Sequence, residues 1–237
     1  MSTFLQLCKD YCRECDIGAG EDAITTVVSQ DGELNRVVGD VKNAWIEIQR
    51  MKAWKFMRGT FTVSTVSGTG AYAYTDCTDS VTAAAISLFN RWRFDNYRDP
   101  PKIYLSASGV GAERWLTWVE WDDFKNLYKI GTQNNAAPQH ITANPFTFKF
   151  ELGPKPNAVF VVTGDYQKSV QIMTLDATEP ICNSDYHPLI LYRAMKKYAN
   201  RENAPEIYNQ AIENEGLLWA DLLRTQLPKM GLAGPMA

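Results

Sequence analysis

Three cysteines near the amino end, Cys8, Cys12 and Cys15, are spaced Cys-x-x-x-Cys-x-x-Cys. Three thiolates at this spacing form the radical-SAM pattern, which binds three irons of a four-iron cluster from a loop that follows a strand. Here, however, the cysteines fall within residues 3–15, where Phe4, Leu7, Cys8, Tyr11, Cys12 and Cys15 recur at helical spacing. A buried helix face needs that same spacing, and a thiol packs as a small hydrophobe. The core-face reading is preferred, and no cofactor is expected. Cys77, Cys182, His140 and His187 are too scattered to complete a zinc set. His187, just before Pro188, is read as capping or packing at a helix start.

Two further constellations could do chemistry. Glu120, Asp122 and Asp123 lie among Trp115, Trp118, Trp121, Phe124 and Tyr128. Carboxylates beside flat rings are how glycan-cleaving or glycan-binding sites are built. Arg91, Arg93 and Arg98 interleave with Trp92, Phe94 and Tyr97, a pattern that suits stacking on nucleic acid. Each pattern also describes an ordinary core with a solvated face or a subunit contact. There is no Gly-x-Ser-x-Gly elbow and no Walker A loop, and the pairs Gly68/Gly70 and Gly109/Gly111 lack the third glycine of a dinucleotide fingerprint. No catalytic or metal-binding residue is assigned, and the chain is expected not to be an enzyme.

These residues are positioned by a simple order of elements. Thr3 and Gln6 have capping-box spacing at the start of the first helix. Leu34, Val37, Val38, Val41, Ala44, Trp45, Ile48 and Met51 form one stripe of a second helix over 33–54, with Asp31 as a plausible cap. Strands are then expected at 60–66, 86–94, 102–107, 115–121, 146–152 and 158–164, with 169–175 as a hairpin partner and a short helix at 121–129. In 146–152, Phe146, Phe148, Phe150 and Leu152 alternate with polar residues, as in a half-buried strand. Pro188 then opens a helix to about Arg201. Asn203 as cap, Pro205 in the first turn and Glu206 at the third helical position open another to about Gln226.

The pattern predicts an α+β fold, with a helical layer from N-terminal and C-terminal helix pairs and a central antiparallel β-rich insertion. The expected divisions are 1–58 with 184–227 for the helical domain, 59–183 for the β-rich domain, and 228–237 for an extended tail. The chain has 237 residues, enough to bury a core. Its net charge of −3 gives no overall basic footprint for nucleic acid. No run is long and apolar enough to predict a membrane span. Five cysteines, an odd number, with no basic stretch leading into an apolar block in MSTFLQLCKDYC, point to reduced thiols, no signal peptide and synthesis in the cytoplasm.

MSTFLQLCKDYCRECDIG, followed by GELNRVVGDVKNAWIEIQRMKAWKFMRGTFTV with its Trp54-Lys55-Phe56 exit, resembles the opening of head-to-tail adaptor (connector) proteins of tailed bacteriophages. PFTFKFELGPKPNAVFVVTGDYQKSV resembles their strand–Pro–strand hairpin. Tyr186-His187 and LILYRAMKKYANRENAPEIYNQAIENEGLLWADLLRTQ resemble their closing helix pair. The resemblance covers both termini and part of the β region, while 67–120 match nothing placeable. It implies a structural virion protein at the head–tail junction, a homo-oligomeric ring, commonly a dodecamer, beneath the portal protein. A tail or nozzle protein would sit below, and genomic DNA would pass transiently through the channel. It also implies portal binding by the C-terminal segment, at Leu227, Pro228, Lys229, Met230, Leu232 and Pro235. The alternatives are another tail-tube, nozzle or head-completion protein, or a carbohydrate-binding protein.

Overall fold

The computed structural model describes residues 2–18, 20–94 and 99–227. The chain divides into two compact units, 1–57 with 170–237 and 58–169. The first is helical. It contains α1 (Phe4–Glu14) and α2 (Gly32–Met51) from the first passage of the chain. The second unit follows, with β1 (Arg58–Ser64), β2 (Ala71–Tyr72), β3 (Thr78–Asp79), β4 (Arg91–Trp92), β5 (Lys102–Leu105), β6 (Arg114–Trp115), β7 (Thr117–Trp118), α3 (Trp121–Tyr128), β8 (His140–Ala143), β9 (Phe150–Gly153) and β10 (Phe160–Gln167). The chain then returns to the helical unit as α4 (His187–Glu202) and α5 (Pro205–Gln226). The fold is α+β, as the order of elements predicts.

In the helical unit, the predicted stripes of α1 and α2 turn inward. Phe4, Leu7, Cys8, Tyr11 and Cys12 pack with Val37, Val41, Trp45 and Ile48, and with Leu189, Ile190, Ala194 and Met195 of α4. Helices from both passages thus share one core. Asp40 ties three of them, because one of its oxygens accepts from Tyr11 Oη on α1 and from Arg201 Nη1 on α4, each at 3.0 Å. Thr3 Oγ1 caps α1 by accepting from the Gln6 amide at 3.2 Å. The reciprocal half of the box is missing, since Gln6 Nε2 donates instead to Asp10. Asp31 occupies the cap position of α2 without a side-chain bond.

Two local expectations are corrected here. Residues 169–175 form no strand. From 170 they belong to the helical unit, where Gln171 exchanges backbone bonds with the Gln49 side chain at 2.8 and 3.0 Å and accepts from Trp45 Nε1 at 3.0 Å. Met173 from the same segment is fully buried in the helical core. Asn203 ends α4 rather than capping α5. It adopts the left-handed conformation (φ 53°, ψ 47°), which Asn tolerates better than most residues, and Ala204 takes the cap position before Pro205.

The second unit stacks three layers. The first sheet has strand order β3-β1-β10-β5-β6, with β4 also paired to β10; the second has order β2-β9-β8-β7. Among the described strands, β7 pairs with β8 in parallel and the other pairings are antiparallel. The inward rows of the two sheets meet in an aromatic core, where Phe61 and Trp92 of the first sheet touch Phe150 of the second at centroid distances of 5.5 and 5.1 Å. On the far side of the second sheet lies α3. A Cβ at Gly153 would collide with the Tyr128 ring and come within 2.8 Å of Phe124, so glycine here lets the helix lie close on the strand. Tyr128 Oη bonds His140 Nδ1 at 2.6 Å, and Lys129 pairs with Glu151, closing that layer.

The expected strand 146–152 is largely a turn, with only Phe150–Gly153 paired. Asn144 Oδ1 accepts the amides of Phe146 and Thr147 at 3.0 and 3.3 Å, folding the chain back before alternation can act. The candidate strand at 86–94 is paired only at Arg91–Trp92. The one at 115–121 breaks at Leu116, which turns into the core.

Candidate interaction surfaces

The three clustered cysteines do not meet in a site. Cys8, Cys12 and Cys15 are buried free thiols in the helical core. Burial pushes all three up from the ordinary thiol range, Cys15 to about 12. A thiolate is the metal-binding form, so this environment opposes ligation. Among the described residues, no group of three His, Cys, Asp or Glu side chains is placed to hold a metal ion.

The Trp–carboxylate cluster is likewise dispersed. Trp115 and Trp118 are exposed, whereas Phe124 is buried and Trp121 stacks on it. Glu120 takes the cap position of α3, and Asp122 and Asp123 sit in its exposed first turn, where acidic groups favour the helix dipole. The cleft beside α3, about 230 Å³, is lined instead by Phe124, Tyr128, Lys129, Glu151 and Lys155. The Arg–aromatic segment divides as well. Trp92 and Phe94 are buried in the β core, so they are not free to stack on bases, while Arg91 is exposed. Tyr97 and Arg98 lie outside the described residues.

His187 is buried at the first residue of α4, where Nδ1 accepts from the Ser2 amide at 3.2 Å and Nε2 lies 3.4 Å from the Cys182 carbonyl. It packs, as its position before Pro188 predicts. Leu227, the first residue of the assigned portal-binding segment, closes α5 and packs against the helical core. Pro228, Lys229, Met230, Leu232 and Pro235 lie outside the described residues.

Two surfaces escaped sequence reasoning. One is the turn between β8 and β9, where Phe146 and Phe148 are 80% and 60% exposed. The turn is firmly held, since Trp92 Nε1 donates to the Phe148 carbonyl at 2.8 Å and the Asn144 amide to the Lys149 carbonyl at 2.8 Å. Phe148 has φ +56°, an unfavourable conformation for a bulky residue. The other is the outward face of the first sheet. Register puts Arg58, Gln167 and Arg91 in one row and Thr60 and Asp165 in the next, where the Arg93 amide donates to the Asp165 carbonyl at 3.0 Å. Thr62, Thr163 and Lys102 form a third row. Burial and nearby Asp99 raise the Asp165 carboxyl pKa, opposed by Arg93, Arg58 and Lys102. Clefts of about 280 and 380 Å³ flank Asp165. A clue to this face lay in β1, where Arg58, Thr60, Thr62 and Ser64 alternate with Phe61 and Val63.

The described residues thus offer ordered surfaces and, at Cys8, Cys12, Cys15 and Cys77, buried thiols. The chain belongs to the SU10 adaptor protein family, whose model matches residues 2–230. The match bears out the resemblance to phage head-to-tail adaptors, and it covers the 67–120 stretch that the resemblance left unplaced. The family is structural, and its members are associated with phage portal and tail proteins as part of the virion. No curated protein matches the chain. Among the described residues no helix is long and apolar enough to cross a membrane.

Proposed function

We propose that this chain is one subunit of a dodecameric ring that joins the portal to the tail, with genomic DNA passing through the channel and no catalytic role. The family match over 2–230 carries this reading. In it, the segment from Leu227 through Pro228, Lys229, Met230, Leu232 and Pro235 binds the portal. The rigid turn bearing Phe146 and Phe148 supports a second contact, because a free-standing subunit has no use for two exposed rings held in one conformation. A tail or nozzle protein is the partner assigned to it. The two domains of the reading are a helical one, discontinuous in sequence, and a β-rich one inserted into it, with 228–237 as a separate tail.

Mass measurement of the purified chain, alone and with the cognate portal, followed by negative-stain imaging, tests the proposal. A ring, or a monomer that joins the portal in a fixed ratio, is expected. Removal of Lys229 to Ala237 should weaken portal binding by about tenfold or more. A monomer that ignores the portal would sink the reading.

A further inference from the structure

We infer that the β unit is two-faced. The cationic outer face of its first sheet, centred on Arg58 and Arg93, docks the acidic start of α3 of a second copy at Glu120, Asp122 and Asp123. This rests on the ring reading and specifies which surfaces close the ring.

On the three rows of the outward face, Arg58, Arg91, Arg93 and Lys102 share the surface with Asp165, and Asp99 stands beside it, which leaves the face with more positive than negative groups. Lys102 is partly engaged, 3.8 Å from Glu113 and over the Trp115 ring. Arg58 and Arg93 feel the charge of Asp165 but make no hydrogen bond to it among the described residues. Their Nε atoms are buried without a hydrogen-bond partner, and neither guanidinium has a salt bridge among the described residues. Both residues are partly exposed, and a carboxylate is the acceptor that fits the outer edge of a guanidinium best.

The complementary surface lies across the unit. The order of layers is first sheet, second sheet, α3, so the cationic rows and α3 are on opposite outer sides. Phe124 and Tyr128 hold α3 to the second sheet, leaving the acidic turn outward. Asp122 is 86% exposed and pairs locally with Lys125 at 2.7 Å. Glu120 and Asp123 are exposed and have no ion pair among the described residues. Opposite charge on opposite sides of one block is the arrangement that a head-to-tail contact between identical copies requires, and such contacts close into rings when the rotation permits.

Charge reversal on the full-length chain tests this by sedimentation velocity over a concentration series, with and without the cognate portal. One variant carries Arg58→Glu and Arg93→Glu; the other carries Asp122→Lys and Asp123→Lys. Each alone should weaken self-association by about tenfold or more. An equimolar mixture should restore it, because each variant then presents to the other the charge that it lost. The α3 variant changes only exposed residues. Arg58→Gln with Arg93→Gln replaces the first variant if circular dichroism shows that it misfolds. If the wild type forms rings and the α3 variant forms them equally well, the docking is wrong and the ring reading stands. If the wild type fails to assemble with or without portal, both fall. If assembly is unchanged in both variants but the arginine variant alone loses duplex DNA binding, the face serves nucleic acid and the inference is overturned.

Discussion

Arg193 on α4 and Glu215 on α5 are joined through a single oxygen. Nε and Nη2 of the arginine both donate to Oε1 of the glutamate, at 2.9 and 2.6 Å. Lys196 takes the other oxygen. The Arg193 and Glu215 side chains are only 16% and 8% exposed, and the guanidinium lies 5.3 Å from the Trp219 ring centroid. The closing helix pair is thus fastened at its middle by a shielded charge pair resting on an aromatic wall.

Removing one partner from such a pair leaves a desolvated charge without compensation. Glu215→Gln should destabilise the protein by about 3 kcal/mol, whereas Arg193→Met and Lys196→Met with Glu215→Leu should cost much less. Urea unfolding of the three proteins compares them directly. A neutral Glu215→Gln would mean that the pair does not hold the hairpin.

Phe148 sits at φ +56° with its ring 60% exposed. Glycine adopts that conformation without a Cβ penalty, so Phe148→Gly should raise the unfolding free energy by about 1 kcal/mol. The same change should weaken binding of the tail-side partner. A thermal melt paired with a binding assay reads both effects, and a drop in melting temperature would contradict the strain argument.

Burial holds the His187 imidazole below its ordinary pKa of 6.5. Above that value the ring is neutral in both folded and unfolded chains, and its contribution to stability is fully present. As pH falls through it, the unfolded chain takes up the proton first, and stability is lost until the folded imidazole also titrates. Melting temperature should therefore fall more steeply between about pH 7 and about pH 5 in the wild type than in His187→Gln. Equal slopes would show that His187 is not buried as a neutral ring.

The thiols of Cys8, Cys12 and Cys15 are buried, with raised pKa values. In the native protein at about pH 8 they should react with a disulfide reagent at least about a hundredfold more slowly than after unfolding in guanidinium. Rapid modification of all three in the folded state would refute the core-face assignment.

The helices were legible because an amphipathic stripe is a local signal. Leu7, Cys8, Tyr11 and Cys12 on α1, and Val37, Val41, Ala44, Trp45 and Ile48 on α2, announce both the element and its buried face. The β unit was less so. Alternation at Phe146 and Phe148 was overridden by the Asn144 side chain, which bonds two amides and turns the chain. Residues 169–175 look β-like but spend their polar groups on Gln49 and Trp45, more than a hundred positions earlier. The juxtaposition of Arg58 with Asp165 and Arg93 arises from strand register, which no local pattern encodes.

The helical unit draws on 1–57 and 170–237, with the whole β unit between. This imposes an order on biosynthesis. At roughly 10 residues per second, α1 and α2 leave the ribosome well over ten seconds before α4 and α5 can cover them. During that interval Trp45, Ile48 and Trp54 have no partners from the later helices, and the nascent chain presents a greasy surface suited to chaperone capture. The intervening β unit holds its own core and can fold in the meantime, so slowing translation within 58–169 should lengthen the vulnerable period without touching any native contact.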